Sequence, residues 1–464
     1  MLPADHISKR ILTSRGSQGA CVLCLFLFLA VLISPNLLLV PVRLLAQETP
    51  AADMLLPSIP TLLTVSSFFT ATVLGQSSLA YTSPSTTSSS PFTLYTITAD
   101  NITAKFIPYG ARLTSLLVLD RNGAEQDVVV GYDSGERYLQ DTETNHTYFG
   151  SVVGRYANRI KNGTFTINGQ TYHIPENENG GKDTLHGGTV GYDQRNWTVA
   201  THNDSSITFM LLDQAYEGFP GSVLTTATFS LSTAASGPQG QLRPRFTSSM
   251  VSIALDAETP IMLANHIYWN LNGFKAATIL NDTSLWMPYS DRYIEIDTIE
   301  IPTGAIGTVS SVPALDFLSS RTIGSAISSA QPGLCGFNCT GIDNAFILDR
   351  PLNTGAEASN FPVLSMWSEI TGIQMDLSTN QQGLQLYSCN GQNGTIPVKQ
   401  SQQNRNKGDS DAAKFVNKYG CLVIETQGWI DGVNQPSWGV NDYTLYSPTT
   451  GPAINYATYD FSNF

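Results

Sequence analysis

Thr164-Phe165-Thr166-Ile167-Asn168-Gly169-Gln170-Thr171-Tyr172-His173-Ile174 is the stretch that decides the fold class. Polar and apolar side chains alternate around Asn168-Gly169, the dipeptide that suits a two-residue type I′ turn because both turn positions need positive φ. The segment predicts a β-hairpin, with His173 an ordinary strand residue. Similar short runs extend in both directions, at residues 92–98, 207–212, 224–231, 251–255, 372–377 and 384–387, separated by Gly, Pro and Asn. Helical periodicity of any length is missing, and no repeat suggests a propeller. The expectation is an all-β chain: one large antiparallel β-sandwich over residues 92–464.

Composition narrows the partners. The 464 residues are 42% hydrophobic and only 13% charged, enough to bury a large core. The formal net charge is −13, and without residues 1–91 it is −14, with 20 basic against 34 acidic side chains. Such a surface repels phosphate backbones, and no Lys/Arg cluster offsets it, so no nucleic-acid partner is expected.

The amino-terminal region reads as targeting. Lys9, Arg10 and Arg15 precede the apolar run 21–33, which at roughly 13 residues suits a signal h-region and is short for a spanning helix of about 20. Residues 1–53 are read as a signal or, because 34–45 are also largely apolar, as a signal anchor. Met54 opens a second signal-like stretch, 54–80, ending in Ser77-Ser78-Leu79-Ala80, and is a candidate start of translation. Residues 81–91 form a Ser/Thr/Pro linker with nothing to pack. The expected destination is extracellular, with no stable membrane association once the signal is removed.

Two further features fit export. Asn-x-Ser/Thr sequons occur at Asn101, Asn145, Asn162, Asn196, Asn203, Asn281, Asn338 and Asn393, as in a glycoprotein. Past the apolar leader stand four cysteines, Cys335, Cys339, Cys389 and Cys421, without paired metal-ligand spacing. Three pairings are open; Cys335 with Cys339 and Cys389 with Cys421 is favoured.

Chemistry concentrates in a few motifs. Asn265-His266-Ile267-Tyr268-Trp269-Asn270-Leu271 puts an imidazole among aromatics and amides in a chain with five other histidines. Imidazole exchanges protons near neutrality, and aromatics with amides line sites for hydroxyl-rich ligands, so proton transfer on a sugar is indicated. An isolated strand histidine is more often structural; its company argues otherwise here. Leu185-His186-Gly187-Gly188 places a second histidine on a glycine-rich loop, where backbone can approach a ligand closely. Asn158-Arg159 sets an amide beside a guanidinium, whose donors suit vicinal hydroxyls as well as carboxylates. Glu425 follows the apolar run Leu422-Val423-Ile424, and a carboxylate partly buried there has its proton affinity raised toward a useful range.

With these motifs in order, the sequence resembles the aldose 1-epimerases, or galactose mutarotases. The resemblance covers nearly all of residues 92–464 and includes residues 154–160, the Leu-His-Gly-Gly loop, residues 217–221 and 265–271, Pro302-Thr303-Gly304 with Asp316-Phe317, Gly341-Ile342-Asp343, and Glu425-Thr426-Gln427. It implies a β-supersandwich, no metal and no organic cofactor, and interconversion of the α and β anomers of a small-molecule monosaccharide such as galactose or glucose. It further implies that Glu425 is the general base at the C1 hydroxyl and His266 the acid at the ring oxygen. Asn158, Arg159, His186, Asp343 and Gln385 would hold sugar hydroxyls or support that pair. Tyr268 and Trp269 are candidates for a stacking wall.

Some positions depart from the family pattern. Trp429-Ile430-Asp431 stands where a Pro-Asp step is usual, which predicts a reshaped loop beside the base. Gly341-Ile342-Asp343-Asn344 keeps the aspartate and changes its neighbours, and a polar insertion over 390–418 separates Gln385 from Glu425. A disulfide between Cys389 and Cys421 would tether that insertion near the site. Two other function classes fit the same residues: a catalytically silent carbohydrate-binding protein, and a glycoside hydrolase using Glu425 and Asp343 as its carboxylate pair. Retention of both His266 and Glu425 argues against the first, and the acidic surface argues against a phosphorylated sugar.

Overall fold

A computed structural model of the protein describes residues 90–236, 240–351 and 361–464. The leader, the second signal-like stretch and most of the Ser/Thr/Pro linker lie outside the described residues.

The hairpin forms where its sequence predicts it. Thr164–Ile167 pairs antiparallel with Gln170–His173, Asn168 and Gly169 both have positive φ, and His173 is exposed. The larger architecture is built the same way, strand by neighbouring strand. A nine-stranded sheet runs Thr198–His202, Ser206–Gln214, Ser222–Ser236, Gln241–Ala254, Ala453–Asn463, Ile373–Thr379, Leu364–Ser368, Thr283–Trp286 and Arg321–Thr322. A six-stranded sheet runs Tyr268–Trp269, Leu422–Gln427, Gly383–Tyr387, Asp343–Ile347, Arg292–Ile296 and Pro302–Thr308. A four-stranded sheet joins Tyr95–Ala99, Ile102–Ile107, Arg112–Leu119 and Glu125–Asp127. Pairings within all three are antiparallel, as expected for a sandwich.

Period-two patterning sets the layers. In Ser222–Ser236 the alternate residues Val223, Thr225, Ala227, Phe229 and Leu231 are buried, and the residues between them are half-buried. Phe229 stacks on Phe106 of the four-stranded sheet with ring centroids 4.8 Å apart. Trp269 of the six-stranded sheet lies 5.0 Å from Tyr459 and 6.3 Å from Phe461 of the nine-stranded sheet. One core therefore holds the nine-stranded sheet against the other two; burying each large apolar side chain contributes about 1.5–3 kcal/mol.

Helix is sparse. Among the described residues the longest is Glu136–Thr144, whose Tyr138 and Asp141 are buried. Asp141 explains why it is there: its carboxylate accepts from Tyr132 Oη (2.8 Å), Thr147 Oγ1 (2.6 Å) and Thr147 N (3.0 Å), fixing the chain that follows. Among the described residues no helix is long and apolar enough to cross a membrane.

Candidate active site

Strand register brings the site together. In Leu422–Gln427, Leu422 and Ile424 enter the main core, while Glu425 points to the opposite face with Val423. Cross-strand partners share a face: Glu425 is opposite Gln385, Tyr387 is opposite Asp343, and Tyr268 is opposite Val423. Glu425, Gln385, Asp343, Tyr387 and Tyr268 thus form one wall of a cavity of about 1060 Å³.

The facing wall comes from a short ladder in which Arg159–Lys161 pairs with Asp183–Leu185. Asn158 and His186 flank it, both with positive φ (58° and 50°), a conformation uncommon outside glycine that concentrates at functional sites. The Asn158 backbone N–H donates to His186 Nδ1 at 3.1 Å, leaving Nε2 as the protonated nitrogen of a neutral ring. Gly187 and Gly188 have a different use from the one expected. A Cβ on Gly187 would stand 2.1 Å from the carbonyl oxygen of Gly154, and one on Gly188 would meet the Glu217 carboxylate at 2.7 Å. The glycines therefore allow the loop to pack on its own protein rather than on a ligand. Glu217 accepts from the backbone of Thr189 and Val190, each at 3.1 Å, which gives residues 217–221 their role as a prop for the histidine loop.

His266 completes the centre. Its backbone N–H donates to Ser151 and its carbonyl accepts from Gly150, which locks the ring's position. His266 Nε2 is 3.5 Å from Glu425 Oε1, and both residues are almost fully buried, at 5% and 2% exposure. The ring stacks on Tyr148 at 5.5 Å and meets His186 edge to face at 5.1 Å.

Burial governs the electrostatics. It raises Glu425 to about 8, with Asp343 adding to the effect and Arg159 opposing it. It lowers His266 to about 3 and His186 well below its usual value. Burial thus favours the uncharged form of each side chain, the protonated carboxyl and the neutral imidazole. Asp343 is raised to about 6 by burial, against Arg159 and the 2.6 Å hydrogen bond from Gln385 Nε2. Burial disfavours the Arg159 charge, but Glu300 and Glu178 outweigh it: the guanidinium pairs with Glu300 and forms a bidentate pair with Glu178 at 2.6 and 2.8 Å.

All seven expected site residues, His266, Glu425, Asn158, Arg159, His186, Asp343 and Gln385, line this one cavity. Three residues that line it each carry a buried polar atom without a protein partner: Glu425 Oε2, Gln385 Oε1 and His266 Nδ1. Such atoms call for a partner from outside the protein, such as an ordered water or a bound ligand. Tyr268 lines the cavity, but Trp269 does not; it is fully buried against Tyr459 and Phe461, because successive strand residues face opposite sides.

Trp429-Ile430-Asp431 follows the Glu425 strand but does not line the cavity. Trp429 and Ile430 pack with Ile294, Ala345 and Trp438 away from the cavity, and Asp431 accepts from the Lys161 backbone (3.1 Å) and Asn434 Nδ2 (2.7 Å). Two disulfide-closed loops shape the mouth instead. Cys335 is bonded to Cys339 and Cys389 to Cys421, and both loops contribute lining residues. The 390–418 insertion is pinned by Lys399 Nζ to Asp127 Oδ2 at 2.9 Å and to the Thr114 carbonyl at 2.8 Å.

Sequence reasoning missed Tyr148, His146, Glu178 and Glu300, which also line the cavity. His146 stacks on Tyr148 at 4.2 Å and bonds Asp193 at 2.9 Å. Its presence in a histidine-poor chain was the available signal; Glu178 and Glu300 had none before folding brought them to Arg159. Ligand atoms of His186, His266 and Glu425 lie within 4.8 Å of one another, the group among the described residues whose donors could meet on one metal ion. The same three side chains are also the parts of a proton relay.

Comparison with known proteins places these features in context. Residues 93–446 match the family model described as aldose 1-epimerase. A probable aldose 1-epimerase from Arthroderma benhamiae is 56% identical over 385 residues, covering 81% of this chain and 87% of the relative. Galactose mutarotase from Homo sapiens is 30% identical, over 74% of this chain and 87% of its own length. Among solved structures, an aldose epimerase homologue from C. elegans superposes with a TM-score of 0.64 at 25% identity, covering 80% of this chain and 99% of that one.

Proposed function

The chain belongs to the aldose 1-epimerase family, isomerases of small sugars, and from that premise we propose that Glu425 and His266 are the base and acid that open and reclose the ring. Glu425 takes the proton of the C1 hydroxyl while His266 delivers one to the ring oxygen. The C1 to ring-oxygen bond breaks, leaving an open-chain aldehyde. Rotation about the C1–C2 bond presents the other carbonyl face, and closure runs the two proton transfers in reverse. The carrying observation is the buried 3.5 Å imidazole–carboxylate pair on the cavity floor.

The proton must move before the reaction runs. Burial favours the protonated carboxyl and the neutral imidazole, whereas ring opening in this direction needs the carboxylate and the imidazolium. A sugar supplies that change by donating hydroxyl hydrogen bonds to Glu425, which favour its anion. Arg159 favours the anion too. Asn158, His186, Asp343 and Gln385 hold the remaining hydroxyls, and the Glu178–Arg159–Glu300 cluster keeps the guanidinium in place. Tyr148 and Tyr268 supply apolar ring faces against the sugar's C–H surface.

Following the optical rotation of freshly dissolved α-glucose or α-galactose tests this reading. Acceleration over buffer is expected; its absence would leave a binding protein. Hydrolysis of an aryl glycoside would instead favour the glycosidase reading, in which Glu425 and Asp343 act as a carboxylate pair. We also read the chain as a secreted glycoprotein. Two disulfides suit an oxidising compartment, and all eight sequon asparagines are exposed.

A further inference from the structure

Three sequon asparagines, Asn145, Asn338 and Asn393, stand at the mouth of the catalytic cavity. All are exposed, and each is followed two residues later by threonine. They come from three separate segments: Asn145 at the end of the Glu136–Thr144 helix, Asn338 inside the Cys335–Cys339 loop, and Asn393 inside the Cys389–Cys421 loop. Two of the three are thus carried on loops that form covalently in the compartment where glycans are attached.

The wider pattern separates sequons from chance. Every one of the eight sequon asparagines is exposed, whereas of the eighteen other described asparagines seven are exposed and eleven are buried or half-buried. Chance tripeptides would share the burial of the remaining asparagines, and these do not.

We propose that Asn145, Asn338 and Asn393 carry N-linked glycans that fence the cavity mouth, admitting free monosaccharides and disfavouring the reducing ends of longer sugars. The proposal rests on the mutarotase reading and on secretion. In the attachment step the asparagine side-chain nitrogen loses a proton and bonds the anomeric carbon of an N-acetylglucosamine. The bond from that carbon to a lipid diphosphate breaks, and the lipid diphosphate leaves. Glu425 and His266 are buried and the three asparagines are exposed, so a sugar chain whose reducing end reaches the acid and base extends from there toward the mouth, whereas a free monosaccharide has nothing beyond its own ring. Bulky glycans on three sides of that mouth compete with such a sugar chain for the same space.

The experiment uses the full chain secreted from a eukaryotic host. Peptide mass mapping after endoglycosidase trimming should find one N-acetylglucosamine on each of the three asparagines. Polarimetry on glucose and on maltotriose, before and after trimming, then reads the fence. The glucose rate should stay constant, and the maltotriose rate should rise by at least about threefold. A bare Asn145, Asn338 or Asn393 in the secreted protein, or a maltotriose-to-glucose ratio unmoved by trimming, overturns the proposal. Lack of acceleration on glucose in both forms is a different result and sinks the mutarotase reading itself.

Discussion

A buried carboxyl and a buried imidazole 3.5 Å apart do not titrate as free side chains. With Glu425 near 8 and His266 near 3, the pair holds one proton across the intervening range. Above about 8 that proton is lost, leaving a base without an acid; below about 3 a second is gained, leaving an acid without a base. The predicted profile of kcat/KM against pH is therefore flat through neutrality with an alkaline limb near 8. A limb near 6 or 7 on the acid side, typical of a free histidine, would show that His266 is not held in its neutral form. The residue types here were legible in the sequence, since Glu425 after an apolar run signalled burial. The direction of the proton was not, because it depends on how completely both groups leave water.

Elements aim these residues, and their legibility follows the range of the interactions. The Asn168-Gly169 hairpin was readable because its turn chemistry is local. The side on which Trp269 lies was not, since a strand of two residues, Tyr268–Trp269, has no period to read. Likewise the roles of Gly187 and Gly188 emerge only when Gly154 and Glu217 arrive from distant segments. The 390–418 insertion gives the clearest test at this scale. Its disulfide closes a loop of 32 residues, for which chain entropy alone gives about 3–4 kcal/mol. The Cys389→Ser/Cys421→Ser double variant is expected to lower thermal stability and raise KM with a smaller change in kcat, because it loosens the mouth and leaves Glu425 in its sheet. Thermal melts and polarimetric kinetics check this; a fall in kcat with KM unchanged would put the insertion in the chemistry instead.

At the scale of the molecule, the nine-stranded sheet acts as a floor on which the six-stranded sheet presents its outer face as a site. The all-β antiparallel sandwich was legible because period-two patterning repeats along the chain, and the C. elegans homologue superposes on it with a TM-score of 0.64. What folding added is the convergence of four carboxylates, Glu178, Asp183, Glu300 and Asp343, around Arg159. One consequence concerns metals. Dialysis against a chelator is expected to leave the mutarotation rate unchanged, since acid, base and positioning groups are all supplied by side chains. Loss of activity restored by zinc would show that His186, His266 and Glu425 hold an ion during turnover.

The central claim is that Glu425 and His266 together open the ring. Its most direct test is the rate at which Glu425→Gln and His266→Asn accelerate the change in optical rotation of fresh α-glucose, measured beside circular dichroism to establish that each variant is folded. Each substitution keeps the side chain's approximate shape and removes its proton chemistry. Each is expected to lose about 10²- to 10⁴-fold of the acceleration, and the double variant little more than the worse single one, since the two act as a unit. A folded variant of either kind with wild-type acceleration would contradict the account.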